Sequence, residues 1–139
     1  MREMAAERNQ SLIDFSKYAE KHPKIDVEID KRQKKLARGN CVVDGRLSAY
    51  FIKSDFNVWL TAPVVVRARR IKNRDKFKTL DDAVEHIKRR EASEKKRYKK
   101  IYGINYPDLS IYDLVLNTAK FDVNATVDVV AKAVEKLRK

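Results

Sequence analysis

The residues of this chain that are best suited to chemistry are arginines, which recur in a few local groups. A guanidinium fork binds phosphate oxygens through paired hydrogen bonds and stays charged at any working pH. Phosphoryl transfer depends on such cationic clamps and on positioning more than on a dedicated nucleophile. The candidate groups are Arg2; the turn Asp44-Gly45-Arg46; Arg70 with Arg74; Arg90 with Arg97, and Glu94 between them; and Asn117-Thr118. Spacings of four and seven residues place each helical pair on one helix face.

Each of these groups also has an ordinary structural explanation. An arginine on a helix of a basic protein is usually a solvated side chain, and Asp-Gly-Arg is a common turn. The helical arginines have acidic neighbours with which they can form ion pairs: Asp75, Glu85 and Glu91. The aromatic residues are expected in packing roles: Trp59, Tyr98, Tyr102, Tyr106 and Tyr112. Spacing alone therefore leaves the function open.

Composition narrows the class of protein without selecting one function. The 139 residues contain 32 Lys and Arg against 20 Asp and Glu, a net charge of +12 that suits either a nucleic acid or small phosphorylated substrates. The single cysteine, Cys41, excludes an internal disulfide, and the two histidines have no partners at metal-ligand spacing. No apolar run approaches the roughly 18 residues that a membrane span needs. We expect a cytoplasmic protein with no membrane association and no protein-bound metal site.

The elements that must position these residues alternate between strands and helices. Short apolar runs that end in polar turns predict buried strands, and such strands between helices predict an α/β fold with a parallel sheet. Ligands then bind at the carboxyl ends of the strands. The predicted strands are Cys41–Val43, Asn57–Leu60 and Ile111–Leu116.

Caps and apolar periodicity predict five helices. The first begins at Ser11 with Asp14 as its capping partner and carries Leu12, Ile13 and Phe15 inward. The others run from Pro23 to Gly39 with Ile25, Ile29 and Leu36 on one face, from Val64 to Arg74, from the Thr79–Asp82 capping box to Gly103, and from Ala125 to Leu137 with Val127, Val130, Ala131 and Val134 on one stripe.

In their residues and in their order along the chain, these segments resemble archaeal-type cytidylate kinases, a family of P-loop nucleoside monophosphate kinases. The similarity is strongest over Arg90-Glu-Ala-Ser-Glu-Lys-Lys-Arg97 and over Ser110 to Thr118, and it extends through Val42-Val-Asp-Gly-Arg-Leu and Val58-Trp-Leu-Thr-Ala-Pro. It also includes Met1 to Arg8, Ser11 to Glu20, Pro23 to Gln33 and Val66-Arg-Ala-Arg-Arg-Ile. The resemblance implies ATP-dependent phosphorylation of CMP or dCMP, with Mg²⁺ accompanying ATP as co-substrate.

The resemblance also implies an architecture and a role for each candidate residue. The fold would be a three-layer αβα kinase domain over 1–139, with monophosphate-binding helices in 1–40 and a helical lid in 68–103, and the protein would be a monomer. CMP would contact Arg2, Asp44, Arg46, Ser93 and Glu94. Arg70 and Arg74 would bind ATP and the transferring phosphate, and Arg90 and Arg97 would act on phosphates from the lid.

The sequence departs from the family at the phosphate loop. Its three glycines are Gly39, Gly45 and Gly103, and none stands in a glycine-rich loop. The first strand, P-loop, first helix and second strand of the family, roughly 30 residues or more, have no counterpart. We therefore expect a polypeptide of these residues alone to be inactive and poorly stable. A start assigned at an internal methionine, a natural split and a P-loop-less protein all stay open as explanations.

Two other functions stay open beside the cytidylate kinase hypothesis. The first is a basic α/β module that binds nucleic acid, supported by the runs Lys95-Lys96-Arg97 and Lys99-Lys100. The sequence contains no RRM, KH or helix-turn-helix signature, so we do not expect a nucleic-acid partner. The second is a kinase of similar fold that acts on another acceptor, such as AMP or shikimate.

Overall fold

The structure is a computed structural model, which describes residues 1–137 apart from the side chains of Arg2, Leu12 and Ile13. The predicted phosphate contact of Arg2 and the predicted inward packing of Leu12 and Ile13 therefore lie outside the described residues. The helices are α1 (Arg2–Glu7), α2 (Leu12–Lys21), α3 (Lys24–Leu36), α4 (Ser48–Phe51), α5 (Val64–Arg74), α6 (Leu80–Tyr102) and α7 (Val123–Glu135). The strands are β1 (Val58–Thr61) and β2 (Leu114–Asn117).

The helix boundaries follow the predicted caps. Asp14 N–H donates to Ser11 Oγ (3.1 Å) at the start of α2. Before α6, Asp82 N–H donates to Thr79 Oγ1 (3.0 Å) and Thr79 N–H donates to Asp82 Oδ2 (2.9 Å), which completes the predicted capping box. Gly103, with φ of 72°, ends α6 in the left-handed region that favours glycine. These predictions from cap residues are confirmed.

The two strands pair in parallel and confirm the α/β class. Val58 lies opposite Leu114 and Thr61 opposite Asn117, so the carboxyl ends of the strands lie at one edge of the sheet. The predicted strand Asn57–Leu60 is confirmed within one residue. The other begins later than predicted, because Ile111 belongs to a 3-10 turn, Leu109–Ile111, in which Asp108 Oδ1 accepts from the Ser110 N–H. The three-layer arrangement stays a prediction.

The predicted strand at Cys41–Val43 is wrong. This segment is irregular, and the Val42 side chain is 99% exposed. A strand requires a neighbour for its N–H and C=O groups, and the only ladder among the described residues joins β1 to β2. An apolar run alone therefore does not form a strand here.

The described chain divides into two compact units. The first comprises residues 1–53 and 95–106, and its core joins α1, α2 and α3 through Met4, Ala5, Phe15, Ala19 and Ile25. Leu36 does not contribute to this core, since it is 67% exposed at the end of α3. The prediction that the apolar face of α3 extends to Leu36 is wrong, because that face ends at Ile29, which packs against the core about two turns earlier.

The second unit comprises residues 54–94 and 107–139 and contains the sheet. Its buried cluster joins α5 to the first part of α6 through Ala68, Ala83 and Ile87. The predicted apolar stripe of α7 is not covered as expected, because Val127 and Val134 are exposed. The single kinase domain and its lid boundaries stay predictions.

Candidate active site

The Asp44-Gly45-Arg46 turn belongs to the first unit, where side chains of α3 and α4 fix its backbone. Gln33 Nε2 donates to the Asp44 carbonyl (2.8 Å), and Ser48 Oγ donates to the Gly45 carbonyl (2.8 Å). A Cβ on Gly45 would lie 2.5 Å from the carboxamide of Gln33, so only glycine leaves room for this contact. The turn is therefore positioned by hydrogen bonds, although no strand precedes it.

Asp44 is exposed, while Arg46 is half-buried and followed by Leu47, which is buried. Burial of Leu47 anchors the chain directly after the turn, since a buried leucine resists displacement into water. The structure thus presents the Asp44 carboxylate to solvent beside a fixed backbone. This arrangement suits the binding of a small polar ligand.

Arg97 forms the most buried ion pair of the first unit. Its Nε donates to Asp26 Oδ2 (2.8 Å) and its Nη2 to Asp26 Oδ1 (3.3 Å), so the guanidinium meets both carboxylate oxygens. The side chains are 10% and 4% exposed. The Arg97 guanidinium also lies 5.9 Å from the ring centre of Tyr98. The orientation of the Arg97 guanidinium is therefore set by α3.

One turn further along α3 and α6, Tyr102 donates its hydroxyl to Asp30 Oδ2 at 2.6 Å. Partial burial raises the pKa of the Asp30 carboxyl, and the neighbouring Asp26 raises it further against the opposing effect of the Tyr102 hydrogen bond. Burial and the bond to Asp30 raise the pKa of the Tyr102 hydroxyl. Tyr102 therefore stays protonated and donating at neutral pH.

In the second unit, Arg70 lies at the carboxyl ends of both strands. Its Nη1 donates to Thr118 Oγ1 (2.9 Å) and its Nη2 to the Thr118 carbonyl (2.6 Å), directly after β2. The Thr118 hydroxyl in turn donates to the Thr61 carbonyl at the end of β1 (3.1 Å). Thr118 is buried, so this chain of hydrogen bonds fixes Arg70 against the strand ends.

The other arginine of that predicted pair, Arg74, is bound to its own neighbour. Its Nε and Nη2 donate to the two oxygens of Asp75 (2.9 and 2.8 Å), and this hydrogen-bonded partner raises the pKa of Arg74. Arg74 thus makes the ion pair that its acidic neighbour allowed. Arg70 and Arg74 therefore have different surroundings although they share one helix.

Arg67 was not predicted as a site residue, but it ties α5 to the end of β1 and to α6. Its Nε donates to the Ala62 carbonyl (2.9 Å), and its Nη1 pairs with Glu91. Glu91 was expected as a partner of the predicted site arginines and instead binds this one. The signal for Arg67 in the sequence was its position one turn before Arg70 on the same helix.

Arg90 and Glu94 form a partly buried pair on α6 within the second unit. Arg90 Nε donates to Glu94 Oε1 at 2.9 Å, and the Glu94 side chain is 2% exposed. Ser93, on the same turn, is half-buried. The shared helix face predicted for Arg90 and Glu94 is confirmed by this contact.

The candidate residues divide between the units. Asp44, Arg46 and Arg97 belong to the first, whereas the second contains Arg70, Arg74, Arg90, Ser93 and Glu94. Asp26 and Thr118 hold two of the arginines, and sequence reasoning gave neither a role as an arginine partner. The signal for Asp26 in the sequence was that this acid lies beside the apolar positions Ile25 and Ile29.

In residues 1–137, no group of three or more His, Cys, Asp or Glu side chains is arranged to hold a metal ion. No helix in that part of the chain is both long enough and apolar enough to span a membrane.

Arginines at the carboxyl ends of parallel strands are typical of α/β proteins that bind phosphorylated ligands. Residues 1–120 match the cytidylate kinase-like family. A cytidylate kinase from Methanocaldococcus jannaschii is 49% identical over 144 aligned positions, which cover 99% of this chain and 80% of that relative. Cytidylate kinases from Methanosphaera stadtmanae and Pyrococcus horikoshii are each 44% identical, over 96% and 98% of this chain and 78% and 71% of their own lengths.

The chain belongs to the cytidylate kinase-like family. It is accordingly a member of a nucleoside monophosphate kinase family, whose enzymes are phosphotransferases. This membership confirms the family predicted from the sequence and favours the enzyme hypothesis over a module that binds nucleic acid.

Proposed function

We propose that this protein is the nucleotide-binding part of a cytidylate kinase, which transfers the γ-phosphoryl group of ATP to CMP or dCMP. The observation that carries the proposal is the placement of Arg70. Its guanidinium bonds to Thr118 at the carboxyl ends of β1 and β2, where open α/β sheets bind their ligands. A fixed cation at that edge suits the equatorial oxygens of a transferring phosphoryl group.

Residues of the first unit are assigned to the acceptor nucleotide. Arg46 follows a turn whose backbone is held by Gln33 and Ser48, and it binds the CMP phosphate together with Arg2. Asp44 lines the same pocket, and Arg97 provides a phosphate ligand from α6. Supporting this assignment, the turn and the Arg97 guanidinium are both held by neighbouring side chains before any ligand arrives.

Residues of the second unit are assigned to ATP and to the lid. Arg70 and Arg74 bind the ATP and transferring phosphates, Arg90 acts as a further cationic clamp, and Ser93 and Glu94 contact CMP. The buried pairing of Arg90 with Glu94 gives this arginine a fixed position on the helix. Closure of such helices excludes water from the phosphates and so protects the transferring group from hydrolysis.

Magnesium enters this reaction with ATP. Mg²⁺ keeps several water ligands and binds mainly through substrate phosphates, so it is part of the MgATP substrate. It neutralises charge on the β- and γ-phosphate oxygens. The protein residues bind the nucleotides, orient the phosphates and exclude water from them. We further propose a cytoplasmic location and a monomeric state, as expected for this family.

The acceptor specificity is tested by isothermal titration of the chain with CMP, dCMP, AMP and UMP. We expect CMP or dCMP to bind at least about tenfold more tightly than AMP and UMP, since a specific hydrogen-bonding pocket discriminates by at least about 1.4 kcal/mol. Equal affinity for all four nucleotides would contradict the proposal. Tighter binding of AMP would instead favour a kinase with another acceptor.

A further inference from the structure

The ion pair between Asp26 and Arg97 is unusual for its burial. Both charges are almost entirely removed from water, at 4% and 10% exposure, and the guanidinium contacts both carboxylate oxygens. Desolvating two charges costs about as much as their attraction returns, so a buried ion pair is a poor way to gain stability. Its effect on geometry is more specific, because two hydrogen bonds to one carboxylate fix the plane of the guanidinium.

A purely structural role for this pair is weakened by a second link between the same helices. Tyr102 and Asp30 already connect α6 to α3 through a 2.6 Å hydrogen bond, one turn further along both helices. That link contains no cation, so it offers no positive charge to a phosphate group. Both links join α3 to α6, but only the link between Asp26 and Arg97 contains a cation. The link between Tyr102 and Asp30 is therefore its matched control.

We propose that Asp26 is a positioning residue that holds Arg97 in the orientation that binds the phosphate of the acceptor nucleotide. The inference rests on the proposed function, in which Arg97 contacts a phosphate group. In this role Asp26 contacts the N–H edge of the guanidinium, and the guanidinium contacts the phosphate. Asp26 therefore increases affinity for the phosphorylated nucleotide without increasing affinity for the nucleoside.

The test is titration of the chain with CMP and with cytidine, which differ only in the phosphate. The variants are Asp26→Asn, which keeps the shape and removes the charge, and the control Tyr102→Phe, which breaks only the second link. We expect Asp26→Asn to weaken CMP binding by about tenfold or more and to leave cytidine binding within about twofold, because a charge-assisted hydrogen bond is lost behind Arg97. Tyr102→Phe is expected to leave the CMP-to-cytidine ratio within about twofold.

The outcomes separate the inference from the proposed function. If the wild-type chain binds CMP and cytidine equally, the proposed function fails and the inference fails with it. If the wild type prefers CMP and folded Asp26→Asn keeps the same preference, or gains CMP affinity, the inference alone is overturned. Should Asp26→Asn fail to fold, Asp26→Glu keeps the charge and displaces the carboxylate by one methylene. The ratio of CMP affinity to cytidine affinity then decides. A loss of affinity for CMP alone supports the inference, and an unchanged ratio overturns it.

Discussion

Substitution of Thr118 by valine removes one buried hydroxyl while leaving the shape of the side chain nearly unchanged. The hydroxyl accepts from Arg70 Nη1 (2.9 Å) and donates to the Thr61 carbonyl (3.1 Å). A neutral hydrogen bond contributes about 1 kcal/mol to stability and one to a charged group about 2 kcal/mol. Thr118→Val should therefore lower the free energy of unfolding by about 3 kcal/mol.

Urea unfolding followed by the fluorescence of Trp59, the single tryptophan, measures this loss, because Trp59 lies in β1 of the same unit. With a slope of about 2 kcal/mol per molar urea, the midpoint should fall by about 1.5 M. Thr126→Val is the matched control. Its hydroxyl bonds to the Asp122 carbonyl at an exposed helix start, so the loss should stay below about 0.5 kcal/mol. A Thr118→Val loss no larger than that of the control would refute the role given to this hydroxyl.

Three further predictions concern the turn, the α6 cap and the half-buried Asp30. Gly45→Ala should weaken CMP binding several-fold, because its Cβ displaces Gln33; combining it with Gln33→Ala should add little further loss in the same titration. Thr79→Ala should cost about 1 kcal/mol in thermal unfolding followed by circular dichroism. The hydrogen bond from Thr79 lowers the pKa of Asp82. The stability cost of Thr79→Ala should therefore shrink as the pH falls through the lowered pKa, below 3.8. The raised pKa of Asp30 means that its contribution to stability is lost as pH rises from 3.8 through the raised value, a trend that urea midpoints of Asp30→Asn should lack.

Local signals in the sequence predicted most of the secondary structure. The capping pairs Ser11–Asp14 and Thr79–Asp82 and the stop at Gly103 act within a few residues, so their effect does not depend on distant contacts. The strand predicted from the apolar run at Val58 is confirmed because that run pairs with β2. The equally apolar run at Val42 has no such neighbour among the described residues, and pairing is a property that local sequence does not contain.

The site was predictable to a different degree. Family resemblance pointed to the arginines, and Arg74 pairs with the acid beside it as the alternative explanation allowed. The partners of Arg97 and Arg70 were missed, because Asp26 lies 71 residues from Arg97 and Thr118 lies 48 residues from Arg70. Only the fold brings such residues together. Periodicity identifies a helix face but does not identify what covers it.

Phosphorylation of CMP itself is the most direct test of the central claim. The 139 residues contain no glycine-rich phosphate loop, so a chimaera would carry, ahead of Met1, the first strand, P-loop, first helix and second strand that the family resemblance implies. In a coupled assay with MgATP, the chimaera should phosphorylate CMP or dCMP in preference to AMP, UMP and shikimate, while the 139-residue chain alone shows no turnover. A folded chimaera that phosphorylates another acceptor and leaves CMP untouched would contradict the account, and so would full turnover by the 139-residue chain alone.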